Sequence, residues 1–225
     1  MADKNVKNNA QNTENALSKS ETFFLKYKKA IIGCIIAVIA IIAAWVLIDM
    51  FVLTPNRVKG QEAMARGQQL FANDEMQKAI QGDSTGFVGF AKLAEEYSGQ
   101  NGNLANLYTG LAYAQQGKWN EAVQYLEKYK DQGDEMISPA AEGALGNAYA
   151  HLQKLDEAVK HLKNAAKRAD NNSLSPTFLI QAGEILESQG KKAEALELYQ
   201  EVKDKYFQSM QYQTIDAYIE RASAK

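Results

Sequence analysis

A chain of 225 residues, 46% hydrophobic and 23% charged, with three prolines and one cysteine, can hold a single domain core beside a membrane segment and excludes a disulfide-stapled fold. Its formal charge of −2 hides a split: residues 1–29 carry six lysines against three carboxylates, whereas from Thr54 onward 19 basic residues face 23 acidic ones. A mildly acidic main domain lacks the clustered basic face that nucleic acid requires, so no nucleic-acid partner is expected.

Residues 1–29 are rich in Asn, Lys, Gln, Ser and Glu, cannot offset their ordering entropy by burial, and are predicted to be a disordered cytoplasmic leader. Lys26, Lys28 and Lys29 close it, with Phe23, Phe24 and Tyr27 suited to the lipid headgroup level. Residues 30–53 are predicted to form a transmembrane helix: Ala30 to Ile48 is uncharged, and about 20 such residues cross the hydrocarbon. Asp49 then falls near the far interface and Trp45 in the last turns. A cleaved signal has a shorter core and a small-residue site, which Ile48-Asp49-Met50-Phe51 does not supply. The lipobox-like Ile31-Ile32-Gly33-Cys34 lacks the apolar core that must precede its cysteine. An uncleaved anchor in the lipid bilayer is therefore expected. The slight excess of lysines before the span places the amino terminus in the cytoplasm and the main domain outside, in the periplasm of a double-membraned bacterium.

Residues 54–100 are expected to form a degenerate first unit. Asn56 to Ala72 gives one helix after Pro55, with Val58, Ala63, Met64, Leu70 and Phe71 apolar. Phe87, Phe90, Leu93, Ala94 and Tyr97 give a second at 3–4 spacing. The glycines from Gly82 to Gly89 lack the spacing and the lysine of a phosphate-binding loop, so a plain turn is expected.

Residues 101–205 repeat themselves. Gly110, Tyr113 and Ala122 return as Gly146, Tyr149 and Ala158, then as Gly183, Leu186 and Ala195. Each unit reads as two helices joined at Gly117-Lys118, Gln153-Lys154 or Gly190-Lys191. Ser138-Pro139 and Ser175-Pro176 mark helix starts, with Ser as the N-cap and Pro in the first turn. Trp119 is matched by Leu155 and then by Lys192, which weakens the packing expected of the third unit. A period in the thirties with helix–turn–helix content signals a solenoid. In residues 206–225, Phe207, Ile215, Tyr218, Ile219 and Ala222 suggest a capping helix from about Ser209 to Ala222. The expected fold is all-α: a transmembrane helix, three regular repeats and a C-terminal capping helix.

The small-x-x-Tyr, Gly-Lys-Trp, x-x-Ala-x-x-x-Leu pattern resembles the tetratricopeptide repeat. With the Lys-bearing leader and single span, the chain is similar to the YfgM-like membrane-anchored tetratricopeptide proteins, ancillary to the Sec translocon. The stretches Gly143-Ala-Leu-Gly-Asn-Ala-Tyr149 and Asn171-Asn-Ser-Leu-Ser-Pro-Thr-Phe178 look like Bacteroidetes-type versions. The resemblance implies protein partners: Sec translocon subunits, periplasmic chaperones or secreted chains. It also implies that the first helix of each pair lines a concave groove. Carried over, the groove positions are Leu104, Leu107 and Leu111, then Asn147, Ala150 and His151, then Ile180 and Glu184. None is basic, so clamping of a terminal carboxylate is not expected, and an extended or helical peptide fits better.

Chemistry is not expected. His151 and His161 lie on different helices without a ligand set, and G-x-S-x-G is absent, so neither metal, cofactor, small-molecule substrate nor catalytic residue is assigned. A scaffold for translocation is the leading reading, a scaffold for envelope assembly or cell division the alternative. A hydrolase using Glu184 is the remote one.

Overall fold

The computed structural model describes residues 2–224, with side chains for Phe23 and residues 25–224; the expectations for Phe24 and for the leader's side chains fall outside these. Among the described residues every regular element is helical. The chain divides into two units, Met1–Arg57 and Val58–Lys225.

In the first unit, α1 runs Ala2–Ile48 and a π-helical turn follows at Asp49–Leu53. The leader, expected to be disordered, is helical. No Pro or Gly occurs before Gly33, and a helix already nucleated in the apolar stretch extends backward at little further cost. The large apolar side chains from Ile32 to Leu53 are exposed. This stretch has the length and composition of a membrane span, which a signal sequence shares. Asp49 accepts hydrogen bonds from Arg57 at 3.2 Å and Thr54 at 3.4 Å.

The second unit is built of helix pairs. α2 spans Thr54–Ala72, entering this unit at Val58; α3 is Met76–Gln81 and α4 Phe90–Glu96. Then come α5 (Gly99–Gln115) with α6 (Trp119–Leu126), and α7 (Ile137–His151) with α8 (Leu155–Ala169). α9 (Ser175–Ser188) pairs with α10 (Lys192–Lys205), and α11 (Ile215–Ser223) closes the array.

Each pair is held at one close approach. A Cβ on Gly110 would meet Leu126 at 2.6 Å, on Gly146 Leu162 at 2.9 Å, and on Gly183 the Tyr199 ring at 2.3 Å. The alanine column opposite, Ala122, Ala158 and Ala195, is fully buried. Small residues are required there because the backbones leave no room for more.

The degenerate unit obeys the same rule. Gly67 faces the ring of Phe90, and Phe90, Leu126, Leu162 and Tyr199 are spaced like the other landmarks. Ala79 is fully buried, as its counterparts are. On the first-helix side the spacing is longer, Gly67 to Gly110, because the Gly82–Gly89 loop splits the second helix into α3 and α4. That loop is held by Asp83, which accepts from the amides of Thr85 and Phe87, the Thr85 hydroxyl and the Arg66 guanidinium. These bonds, the Thr85 hydroxyl first, keep the Asp83 carboxyl well below the usual range.

The turn inside every pair is the same device. Asp74, Gly117, Gln153 and Gly190 all have positive φ, 62°, 71°, 59° and 76°. The next amide in each case donates back to the carbonyl of Leu70, Tyr113, Tyr149 or Leu186, at 2.9 Å every time. This is the left-handed termination that satisfies the last carbonyls of a helix. Two of the four positions are not glycine, and Asp74 and Gln153 adopt that conformation at some strain.

Helix starts correct one expectation. Ser138 and Ser175 are not caps. Asp134 caps α7 by accepting from the amides of Met136, Ile137 and Ser138, and Asn171 accepts from those of Ser173 and Leu174 before α9. The buried serine hydroxyls instead accept from Gln132 and Asn171 amides and donate to Asp134 and to the Ala166 carbonyl, latching each loop. At the far end Ile215 and Ala222 are buried against α10, whereas Phe207, expected in the cap, is 60% exposed. The helix begins only at Ile215, after a 3₁₀ turn at Met210–Gln213.

Candidate partner-binding face

The first helix of each pair leaves one line uncovered, at the spacing i, i+4, i+7, i+11 that keeps residues on one helical stripe. On α7 it is Ala140, Ala144, Asn147 and His151, exposed at the ends and half-buried between; on α9 it is Thr177, Gln181, Glu184 and Ser188. On α5 the same register gives Leu104, Tyr108, Leu111 and Gln115, and on α2 it gives Gln61, Ala65, Gln68 and Ala72. Neighbouring lines touch: Gln68 Nε2 donates to the Tyr108 hydroxyl at 3.2 Å. At the other end Gln211 of the 3₁₀ turn donates to Thr177 at 2.9 Å.

Of the eight positions expected to line a groove, five lie on these lines: Leu104, Leu111, Asn147, His151 and Glu184. Ala150 is half-buried beside the core of the second pair. Leu107 and Ile180 are buried, 6% and 8% exposed, and correct the expectation. They sit in the cores shared between pairs; the equivalent residue Gly143 receives the Phe178 ring of the next pair, where a Cβ would lie 2.2 Å from it. Tyr108, Gln115 and Gln181 were missed in sequence. Their signal was the stripe spacing combined with the repeat period, not any single residue type.

Charge is distributed unevenly. No Lys or Arg stands on the four lines, and Glu184 is their one carboxylate. Of the 15 lysines from Thr54 onward, nine stand on α8 and α10 or in the turns that precede α6, α8 and α10. The other carboxylates of α7 and α9 are engaged. Glu142 Oε1 lies 3.0 Å from His161 Nδ1, and Glu187 accepts from Arg221 at 3.1 Å and from the Tyr199 hydroxyl at 2.8 Å. Arg221, more than Tyr199, holds the Glu187 carboxyl below the usual range. The Tyr199 phenol is raised above its ordinary value by burial first and by Glu187 second. The Tyr149 phenol donates to Glu127 and is pushed up to about 12 by that bond, with burial adding.

His151 lies flat on Trp119, ring centroids 3.7 Å apart and planes within 1°. Trp119 starts the second helix of one pair and His151 ends the first helix of the next, so the stack ties two pairs at the edge of the face. In the third unit Lys192, standing where Trp119 does in the first, donates instead to the carbonyl of Ala224. Clefts lie elsewhere among the described residues. One of ≈ 450 Å³ lies between α2 and the Gly82–Gly89 loop, over Phe87, Leu93 and Tyr97. Another, of ≈ 250 Å³, lies among α6, α7 and α8, bounded by Tyr129, Glu142, His161 and Arg168. Among the described residues no three His, Cys, Asp or Glu side chains are grouped to hold a metal ion.

Solved structures share this architecture. A Podosopora anserina putative kinesin light chain with nearly identical TPR-like repeats superposes with a TM-score of 0.55 at 14% identity, covering 72% of this chain and 84% of that one. A single-substitution variant of the same protein gives the same score at 15% identity. MamA superposes at 0.51 and 19% identity, covering 69% of this chain and 91% of its own. The fold is therefore a TPR-like helical solenoid. No curated protein sequence matches the chain. The family model described as T7SS, ESX-1 secretion system protein EccA1, N-terminal domain, matches residues 45–217.

Proposed function

Because the chain belongs to the family of the T7SS, ESX-1 secretion system protein EccA1, N-terminal domain, we propose that it is a docking protein of a secretion apparatus, anchored in a bacterial inner membrane. The observation that carries this reading is the uncovered stripe on α2, α5, α7 and α9. It is an extended surface with amide, aliphatic and aromatic groups and a single carboxylate, whereas the second helices α8 and α10 are densely charged. A partner segment laid along the stripe meets amide groups for its backbone and small apolar groups for its side chains. The protein binds and does not catalyse in this reading, and needs no cofactor.

The exposed apolar stretch of α1 supports an uncleaved span over residues 30–53, with the amino terminus in the cytoplasm and the solenoid in the periplasm. The likeness to YfgM-like proteins of Bacteroidetes type favours partners at the Sec translocon or among periplasmic chaperones and secreted chains. The test is co-purification of the full chain from detergent-solubilised membranes, with and without Asn147→Trp, followed by mass spectrometry. Translocon or chaperone subunits recovered with the parent protein and lost with the variant support the proposal. Partners equally recovered with both place the docking surface elsewhere.

A further inference from the structure

Resting on that docking face, we propose that its occupant is an extended, largely uncharged segment of a partner protein that carries a single Lys or Arg, seated on Glu184. Two observations bear on this. First, an anionic ligand meets no Lys or Arg on the stripe, so a terminal carboxylate or an acidic peptide would be desolvated there without an ion pair in compensation. Second, Glu184 is exposed and forms no ion pair among the described residues, whereas Glu142 and Glu187 on the first helices α7 and α9 are answered by His161 and Arg221. Of the three carboxylates on α7 and α9, only Glu184 is open.

A guanidinium offers five N–H groups in a fixed fork, and an ammonium three, so either can engage the exposed Glu184 carboxylate. Asn147 occupies the equivalent position on α7 and is neutral, as Leu111 is on α5. The single charge therefore sets a register: the basic residue lies over α9, and the uncharged remainder runs toward α5.

The test uses the full-length chain in lipid nanodiscs and a random dodecapeptide library displayed on phage. Clones that bind the parent protein but not the groove-blocked variants Asn147→Trp and Ala140→Trp define occupants of the face; two blockers are used so that misfolding of one does not decide the result. These clones are expected to be enriched in a single Lys or Arg and depleted in Asp and Glu. Their synthetic peptides are expected to bind Glu184→Gln roughly tenfold more weakly, and panning on Glu184→Lys is expected to enrich acidic residues. Blocker-sensitive clones with no basic preference, or with undiminished binding to Glu184→Gln, overturn the assignment of Glu184 while leaving the docking face standing. If no clone distinguishes the parent from the blockers, the docking face itself fails.

Discussion

Gly67→Ala probes whether the first, irregular unit is a true member of the stack. In an open helix the change stabilises by about 1 kcal/mol, because Ala loses less backbone freedom. Here the new methyl would lie 2.4 and 2.5 Å from atoms of the Phe90 ring and 2.7 Å from that of Phe87, against an ordinary carbon contact of about 3.5–4 Å. Phe90 is fully buried, stacked on Tyr108 at 5.1 Å and edge-on to Phe87 at 5.8 Å, so its ring cannot withdraw without moving both. Overpacking of this kind costs about 1–3 kcal/mol, and a ring so confined belongs at the upper end. After subtraction of the propensity gain, the net destabilisation is about 1–2 kcal/mol. At roughly 2–4 °C per kcal/mol for a unit of this size, the melting temperature falls by about 2–8 °C. Thermal unfolding of the full chain in detergent, followed by circular dichroism at the helical band, measures it. A melting temperature that stays level or rises would falsify the close approach of α2 and α4, and the first unit's place in the stack with it.

Asp134→Ala removes the cap of α7 and is expected to cost about 0.5–2 kcal/mol. Asp134→Asn, which installs the residue found in the equivalent place at 171, is expected to cost less, both read from denaturant titrations. The Asp134 carboxyl is held at about 2, chiefly by the Ser138 hydroxyl and then by three backbone amides, below an unfolded value near 3.8. Its contribution is therefore complete above about pH 4 and lost as pH falls through 2, so Asp134→Asn is expected to flatten the acid limb of stability between those values. Tyr199→Phe deletes the hydroxyl donated to Glu187 while Arg221 stays, and a loss of about 1–2 kcal/mol is expected at neutral pH. Trp119→Leu, which repeats the choice made at 155, forfeits the stack on His151. An equilibrium loss of about 0.5–1.5 kcal/mol is expected, and none at all would mean the stack ties nothing together.

The repeat columns were legible because their chemistry is narrow: only a small residue fits where two helix backbones meet, so Gly110, Gly146 and Gly183 stand out at intervals of 36 and 37 residues. The first unit obeys the same packing, but sequence spacing does not reveal it. Its loop between α3 and α4 shifts Gly67, Leu70 and Ala79 out of phase with their counterparts, while Phe90 remains in phase. Its turn is hidden as well, since Asp74 takes the left-handed conformation that glycine advertises at 117 and 190. The serines before Pro139 and Pro176 mark helix starts as expected but act by latching loops, a distinction that depends on which donor faces them. The docking stripe was half legible. Register alone places Leu107 and Ile180 beside Leu111 and Glu184, but whether such a position faces outward or into the next pair depends on the tilt between pairs, which sequence spacing does not carry.

Site-specific photocrosslinking in cells tests the central claim most directly. A photoreactive amino acid at Leu111 or Asn147, on the stripe, is expected to yield discrete protein adducts, and the same group at Lys163, exposed on α8, is expected to yield none at comparable strength. Equal adducts from Lys163, or adducts from Lys163 alone, contradict a protein that receives its partner along the uncharged face of its first helices.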